Sequence, residues 1–70
     1  MRGAHDMKTA NKDEFYAFVS DRNLQIGKNS GQFFVMHTIY YNHPDTGETL
    51  ARKETSSWNN QTIYWIDSSK

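Results

Sequence analysis

The chain has 70 residues and no cysteine, and its eight basic residues balance its eight acidic ones. These features exclude a disulfide-stabilised fold and predict a single domain without the charge excess on which nonspecific nucleic-acid binding depends. No apolar run approaches the ~20 residues that would cross a bilayer, so we expect a cytoplasmic domain that needs no membrane and no cofactor.

The chain begins with a segment, 1–10, that is polar and has no periodicity, so we expect it to be disordered. A helix is predicted over 11–22. Asn11 is a favourable N-cap, and Glu14 three residues later completes a near capping box. The apolar residues that follow have the i, i+3, i+4 spacing of one helix face: Phe15, Phe18 and Val19.

Strand-like segments fill the rest of the chain. Three runs rich in aromatic and β-branched residues are predicted as strands: 32–42, 48–58 and 61–67. Gly and Asn mark the turn at 27–31, Pro-Asp-Thr-Gly marks the turn at 44–47, and Asn-Asn at 59–60 is typical of a two-residue hairpin loop. The alternation at 24–26 is compatible with a short edge strand.

The predicted fold class is therefore α+β. One N-terminal helix packs on a three-stranded antiparallel meander, or on a four-stranded one if 24–26 joins its edge. The domain is expected to span 11–67, with 68–70 as a tail.

Both faces of the predicted sheet are apolar, which is the feature that points towards function. With hairpin loops at 43–47 and 59–60, one face collects Phe34, Met36, Tyr40, Leu50, Trp58, Ile63 and Trp65. The other face collects Phe33, Val35, Ile39, Tyr41, Ala51, Tyr64 and Ile66. An antiparallel sheet with one face in water alternates apolar and polar residues instead. One short helix covers one face, so either the N-terminal segment and 24–26 cover the second face, or that face meets a partner.

These observations predict a small non-enzymatic interaction module. It either self-associates as a homodimer or modulates another protein through the uncovered face. Oligomerisation also fits the energetics, because apolar burial and ordering entropy nearly cancel in a domain of this size. The residues expected to form the partner-binding face are Phe33, Tyr41, Lys53 and Tyr64.

The alternative function is a small nucleic-acid-binding module. Sheet aromatics would stack on bases, and Lys28, Arg52 and Lys53 would contact phosphates. The positions of these three cations discriminate between the two functions. Clustering beside exposed aromatics favours nucleic acid, whereas dispersal or pairing with acidic side chains disfavours it.

Catalysis and metal binding have weaker support in the sequence. In one register His37 would face Glu54, with Ser56 nearby, whereas the preferred register places His37 opposite Lys53. The chain has three histidines and no cysteine, and no spacing typical of a metal site. We therefore predict neither an enzyme nor a metal centre.

Overall fold

The computed structural model describes residues 7–28, 30–33 and 35–69, and for Phe33 it describes the backbone only. The elements in chain order are β1 Met7–Ala10, α1 Lys12–Asp21, β2 Gln25–Ile26, β3 Gly31–Phe33, β4 Met36–Asn42, β5 Thr49–Ser56 and β6 Thr62–Asp67. The strands form one antiparallel sheet in the order β1-β6-β5-β4-β2, and β3 also pairs with β4. The predicted meander of three or four strands is therefore wrong, since the sheet has six strands. One helix on an antiparallel sheet remains the general architecture.

Strand β1 corrects the prediction of a disordered segment over 1–10. It pairs antiparallel with β6 along its whole length, from Met7 opposite Asp67 to Ala10 opposite Tyr64. Four residues with a polar centre give no periodic signal, so the strand forms because β6 offers an edge for main-chain hydrogen bonding. Residues 1–6 lie outside the described part of the chain.

Helix α1 confirms the predicted capping. The Asn11 Oδ1 atom accepts a hydrogen bond from the Glu14 backbone N–H at 2.7 Å, which satisfies one of the donors at the helix start. Phe15 and Phe18 are buried against the sheet. A helix of ten residues is marginal in isolation, so this packing holds it in place.

The two long hairpins differ in how well the sequence predicts them. In the first, Gly47 has the positive φ of +76° that the turn prediction requires, and the His43 N–H donates to the Glu48 carbonyl oxygen at 2.7 Å. In the second, the predicted two-residue loop at 59–60 is wrong. The strands end at Ser56 and resume at Thr62, so Trp58 lies in a longer loop.

The predicted strand over 32–42 is divided into β3 and β4, which form a hairpin of their own. Gly31 pairs with Thr38 and Phe33 with Met36, so β3 and β4 run antiparallel to each other. Phe34 lies outside the described residues. Ser57 donates hydrogen bonds from its N–H and its hydroxyl to the Val35 carbonyl oxygen, at 2.7 and 3.1 Å. This contact with the neighbouring hairpin stabilises a division that the apolar sequence does not predict.

The hydrophobic core lies between α1 and one face of the sheet. Its buried members are Phe15, Phe18, Leu24, Tyr41, Leu50, Ala51 and Ile66. The register shifts beside Tyr41, which pairs with Ala51, whereas Asn42 pairs with Thr49. The shift leaves Leu50 as the extra residue of a bulge, and both Leu50 and Ala51 join the core.

Candidate functional site

The helix covers the face of the sheet that was predicted to bind a partner. We call this side the covered face, and its sheet residues are Ala10, Ile39, Tyr41, Ala51, Lys53, Tyr64 and Ile66. The ring of Phe15 lies 5.3 Å from that of Tyr41 and 4.9 Å from that of Tyr64. Tyr41 is 8% exposed and Tyr64 is half-buried, so neither belongs to an open binding surface. The side chain of Phe33 lies outside the described residues.

Lys53 also lies on the covered face, at its rim. Its Nζ atom donates a hydrogen bond to the Tyr16 hydroxyl at 3.1 Å, and this bond raises the pKa of the ammonium group. Burial raises the pKa of the Tyr41 phenol. Lys53 is therefore charged and Tyr41 neutral at pH 7, so this face offers neither a neutral amine nor a phenolate for nucleophilic chemistry.

The opposite side, which we call the open face, has no helix or second sheet layer on it among the described residues. Its residues include Thr9, Met36, Thr38, Tyr40, Arg52, Glu54, Ile63 and Trp65. Met7 and Asp67 continue this side at the end of β6, where Asp67 is fully buried. The residues of the open face form adjacent cross-strand rows, because directly paired residues share a face. One row contains Tyr40, Arg52 and Trp65, and the next contains Thr38, Glu54 and Ile63.

A hydrogen-bonded charge pair occupies the centre of the open face. The Arg52 Nε–H donates to a Glu54 carboxylate oxygen at 3.1 Å, and the Trp65 indole N–H donates to the other carboxylate oxygen at 3.0 Å. The Arg52 guanidinium also lies 4.9 Å from the centroid of the Trp65 ring, within the range of a cation–π interaction. The three side chains fix one another's orientation without a covering layer.

Apolar side chains surround this pair. Ile63 is 45% exposed and Met36 is 38% exposed, and both belong to the open face. Trp58 lies beyond the strand ends, in the loop between β5 and β6, and is 78% exposed. The preceding residue, Ser57, donates a hydrogen bond to the Val35 carbonyl oxygen. The open face therefore combines a charged, hydrogen-bonded centre with accessible apolar groups.

The edge of the open face beside Tyr40 is fixed by a turn between β2 and β3. The Ser30 N–H donates to the Gly27 carbonyl oxygen at 3.1 Å, closing the turn predicted from the glycines and Asn. The Ser30 hydroxyl accepts from the Tyr40 N–H at 2.8 Å. The turn thus takes part in sheet pairing. Gln25–Ile26 lies at the sheet edge rather than over the open face, and Leu24 belongs to the core.

The cations of the nucleic-acid alternative are dispersed. Lys28 is exposed in the turn at 27–30, Arg52 pairs with Glu54 on the open face, and Lys53 lies on the covered face. By the criterion set out above, this placement disfavours phosphate binding.

The candidate catalytic grouping does not form. His37 pairs with Thr55, not with Lys53 or Glu54, and the adjacent positions 37 and 38 alternate so that His37 and Glu54 project from opposite faces. Among the described residues there is also no group of three or more potential metal ligands.

The sequence places Met36, Tyr40, Ile63 and Trp65 correctly on one face, but partner binding was predicted for the other face. Phe33 was predicted to share that other face with Tyr41, whereas its backbone pairs with Met36.

The sequence suggested two roles for Glu54, as a catalytic partner of His37 or as an acidic partner of the cations. Its hydrogen bond to the Trp65 indole was not predicted. The signal was present in the strand, because Arg52 and Glu54 are two residues apart and so share a face, whereas Lys53 between them does not.

Comparison with known proteins gives no relative: no family model, no curated protein and no solved structure matches the chain significantly. Within the described ranges, no helix has the length and apolar character needed to span a membrane.

Proposed function

We propose that this chain is a small non-enzymatic interaction module that binds a polypeptide surface through its open face. The observation that carries the proposal is the one-sided cover of the sheet. Helix α1 packs on Tyr41 and Tyr64, and the other face presents Trp65 and Ile63 without an overlying element in the described part of the chain.

The composition of the open face suits a protein partner. Aromatic residues, Met and Arg are enriched in protein interfaces, and Trp, Tyr and Arg supply most of the strongly contributing positions. All four types occur here, as Tyr40, Trp65, Met36 and Arg52. The single cation of this group is paired with Glu54, which favours a partner of mixed charge over a polyanion.

The strands also hold these side chains rigidly, because β5 is paired on both sides along most of its length. A preorganised surface loses little conformational freedom when it binds. The Arg52–Glu54–Trp65 contacts add to this effect, because they set the side-chain orientations before any partner arrives.

Site-specific photo-crosslinking tests the proposal with a matched pair of isoleucines. Ile63 lies on the open face and is 45% exposed, whereas Ile26 is 66% exposed and pairs with Tyr41 of the covered face. A photoreactive phenylalanine analogue is placed at one position or the other, and the full chain is irradiated in cells that express it. We expect polypeptide adducts from position 63 and few from position 26, with mass spectrometry identifying the crosslinked chain.

Position 63 without any polypeptide adduct, or equal adducts from both positions, would overturn the proposal. The more exposed Ile26 makes the control stringent, because random collisions would label it at least as often as Ile63.

A further inference from the structure

We infer that the partner of the open face is a second copy of this chain, stacked face to face about a twofold axis. The inference rests on the proposed function and identifies its partner. The axis lies midway between the two sheets, perpendicular to the strands and level with Lys53 of β5, so that the two central strands run antiparallel.

Charge complementarity is the first support. Among the described side chains of the open face that reach solvent, the cation is Arg52 and the anion is Glu54, both on the central strand of the order β1-β6-β5-β4-β2, whereas Asp67 on the same side is fully buried. The twofold axis places Arg52 of each copy over Glu54 of the other. Arginine then does not face arginine, and glutamate does not face glutamate. Two equivalent ion pairs form, because in an isologous interface each contact occurs twice.

The hydrogen-bonding capacity of the pair permits this exchange. A carboxylate has about four acceptor positions and a guanidinium has five N–H donors. Glu54 accepts from Arg52 Nε and from the Trp65 indole in its own chain. Capacity therefore remains on both groups for a second contact, and a charge pair that loses water needs such additional hydrogen bonds.

The sizes of the side chains in the two rows provide the second support. The same axis places the row Tyr40, Arg52 and Trp65 over the row Thr38, Glu54 and Ile63 of the other copy, because it preserves each residue's position across the sheet. Trp65 then meets Ile63, and Tyr40 meets Thr38. In each contact a large ring lies over a smaller branched side chain, which fits the interdigitation of sheets packed about 10 Å apart.

A stable interface buries about 800 Å² on each partner, which is about a sixth of the 4850 Å² surface of the chain. A domain of this size also gains from association, since folding alone buries only about 60% of the surface of its unfolded chain.

Charge-reversal variants test the pairing directly. Arg52→Glu leaves two acids on the open face and Glu54→Arg leaves two bases, so each variant should be monomeric by sedimentation equilibrium where the wild-type chain is a dimer. An equimolar mixture should restore a species with the mass of two chains, because each face now complements the other. Circular dichroism checks that each variant is folded.

A second pair of variants leaves the Arg52–Glu54–Trp65 contacts intact. Ile63→Asp places an unpaired charge in the interface and should weaken dimerisation at least about tenfold. Ile26→Asp makes the same chemical change on the other side of the sheet and should change the dimer dissociation constant by less than about twofold.

A wild-type chain that stays monomeric up to about 1 mM, the weak end of specific association, would overturn the inference. So would charge-reversal variants that remain dimers, or a mixture that stays monomeric. If the chain is monomeric but position 63 crosslinks to a different polypeptide, the inference fails and the proposed function stands. If position 63 gives no polypeptide adduct, both fail.

Discussion

The two faces of this sheet are built from alternate residues of the same strands, yet they satisfy their side chains in different ways. On the covered face, the rings of Tyr41 and Tyr64 pack against Phe15 of the helix. On the open face, Trp65 and Arg52 are held by Glu54 through hydrogen bonds. The covered face thus depends on a second layer for its stability, whereas the open face is ordered without one.

Apolar content alone therefore does not indicate which face of the sheet is accessible. The covered face is rich in aromatic residues because it is core. The open face has fewer apolar groups, but its charged residues are positioned by neighbouring rings, and isolated exposed side chains such as Ile63 remain accessible.

The largest expected effect in this comparison is that of Phe15→Ala. The side chain is fully buried and touches three tyrosine rings, so truncation should lower the free energy of unfolding by about 3–5 kcal/mol. Urea denaturation followed by circular dichroism measures the loss. Phe15→Leu should recover more than half of it, and a loss below about 1 kcal/mol for the alanine variant would show that α1 does not seal the covered face.

The adjacent tyrosines of β4 compare the two faces most directly. Tyr41→Ala removes a core ring and should cost about 3 kcal/mol. Tyr40→Ala removes a half-buried ring from the open face and should cost at most about 1 kcal/mol. Thermal and urea unfolding of the two variants give the difference. Equal costs would mean that both faces are covered to the same extent.

A smaller effect is expected at the start of the helix that covers one face. Asn11→Ala removes the side-chain acceptor for the Glu14 N–H and should lower the free energy of unfolding by about 1 kcal/mol. Asn11→Asp keeps an acceptor and should restore most of this stability. An alanine variant as stable as the wild type would contradict the capping assignment.

The smallest expected effect is confined to alkaline pH and to the covered face. The pKa of Tyr41 is raised above 10.0 by burial, and that of Lys53 is raised above 10.5 by its hydrogen bond to Tyr16. Both groups therefore bind protons more tightly in the folded chain. Their contribution to stability is complete below about pH 10 and is lost as the pH rises through the raised values.

Urea midpoints measured between pH 8 and pH 11.5 would show this decline. Tyr16→Phe removes the acceptor for Lys53 and should make the decline shallower. If the midpoint rises over that pH range, or if Tyr16→Phe steepens the decline, the assigned direction of the pKa changes is wrong.

Part of the fold was predictable because its determinants are local. Asn11 caps α1 through a residue three positions away, and Gly47 adopts its positive φ within a turn that Pro44 and Asp45 already mark. The face on which a strand residue lies follows from alternation along the strand. This assignment stays correct when the predicted loop length is wrong by an even number of residues.

The strands that the sequence did not predict depend on partners distant in the chain. Met7–Ala10 has no pattern of its own and is ordered by β6. The division into β3 and β4 interrupts a run that favours a continuous strand, and Ser57 from another hairpin stabilises it by hydrogen bonds to Val35. Local propensity cannot report contacts of this kind.

Local sequence patterns specify helix α1, its N-cap and the Gly47 turn, and alternation places Met36, Tyr40, Ile63 and Trp65 on one face. Alternation fails for Phe33, which pairs with Met36 although it was predicted to share a face with Tyr41, and for Leu50, which the bulge brings into the core. Which face lies under the helix and which remains open, together with the six-stranded order of the sheet, follows only from tertiary contacts, because both faces are apolar enough to form a core. The choice between them depends on how Phe15 and Phe18 of α1 meet the sheet, and that contact is not encoded in the periodicity of either element.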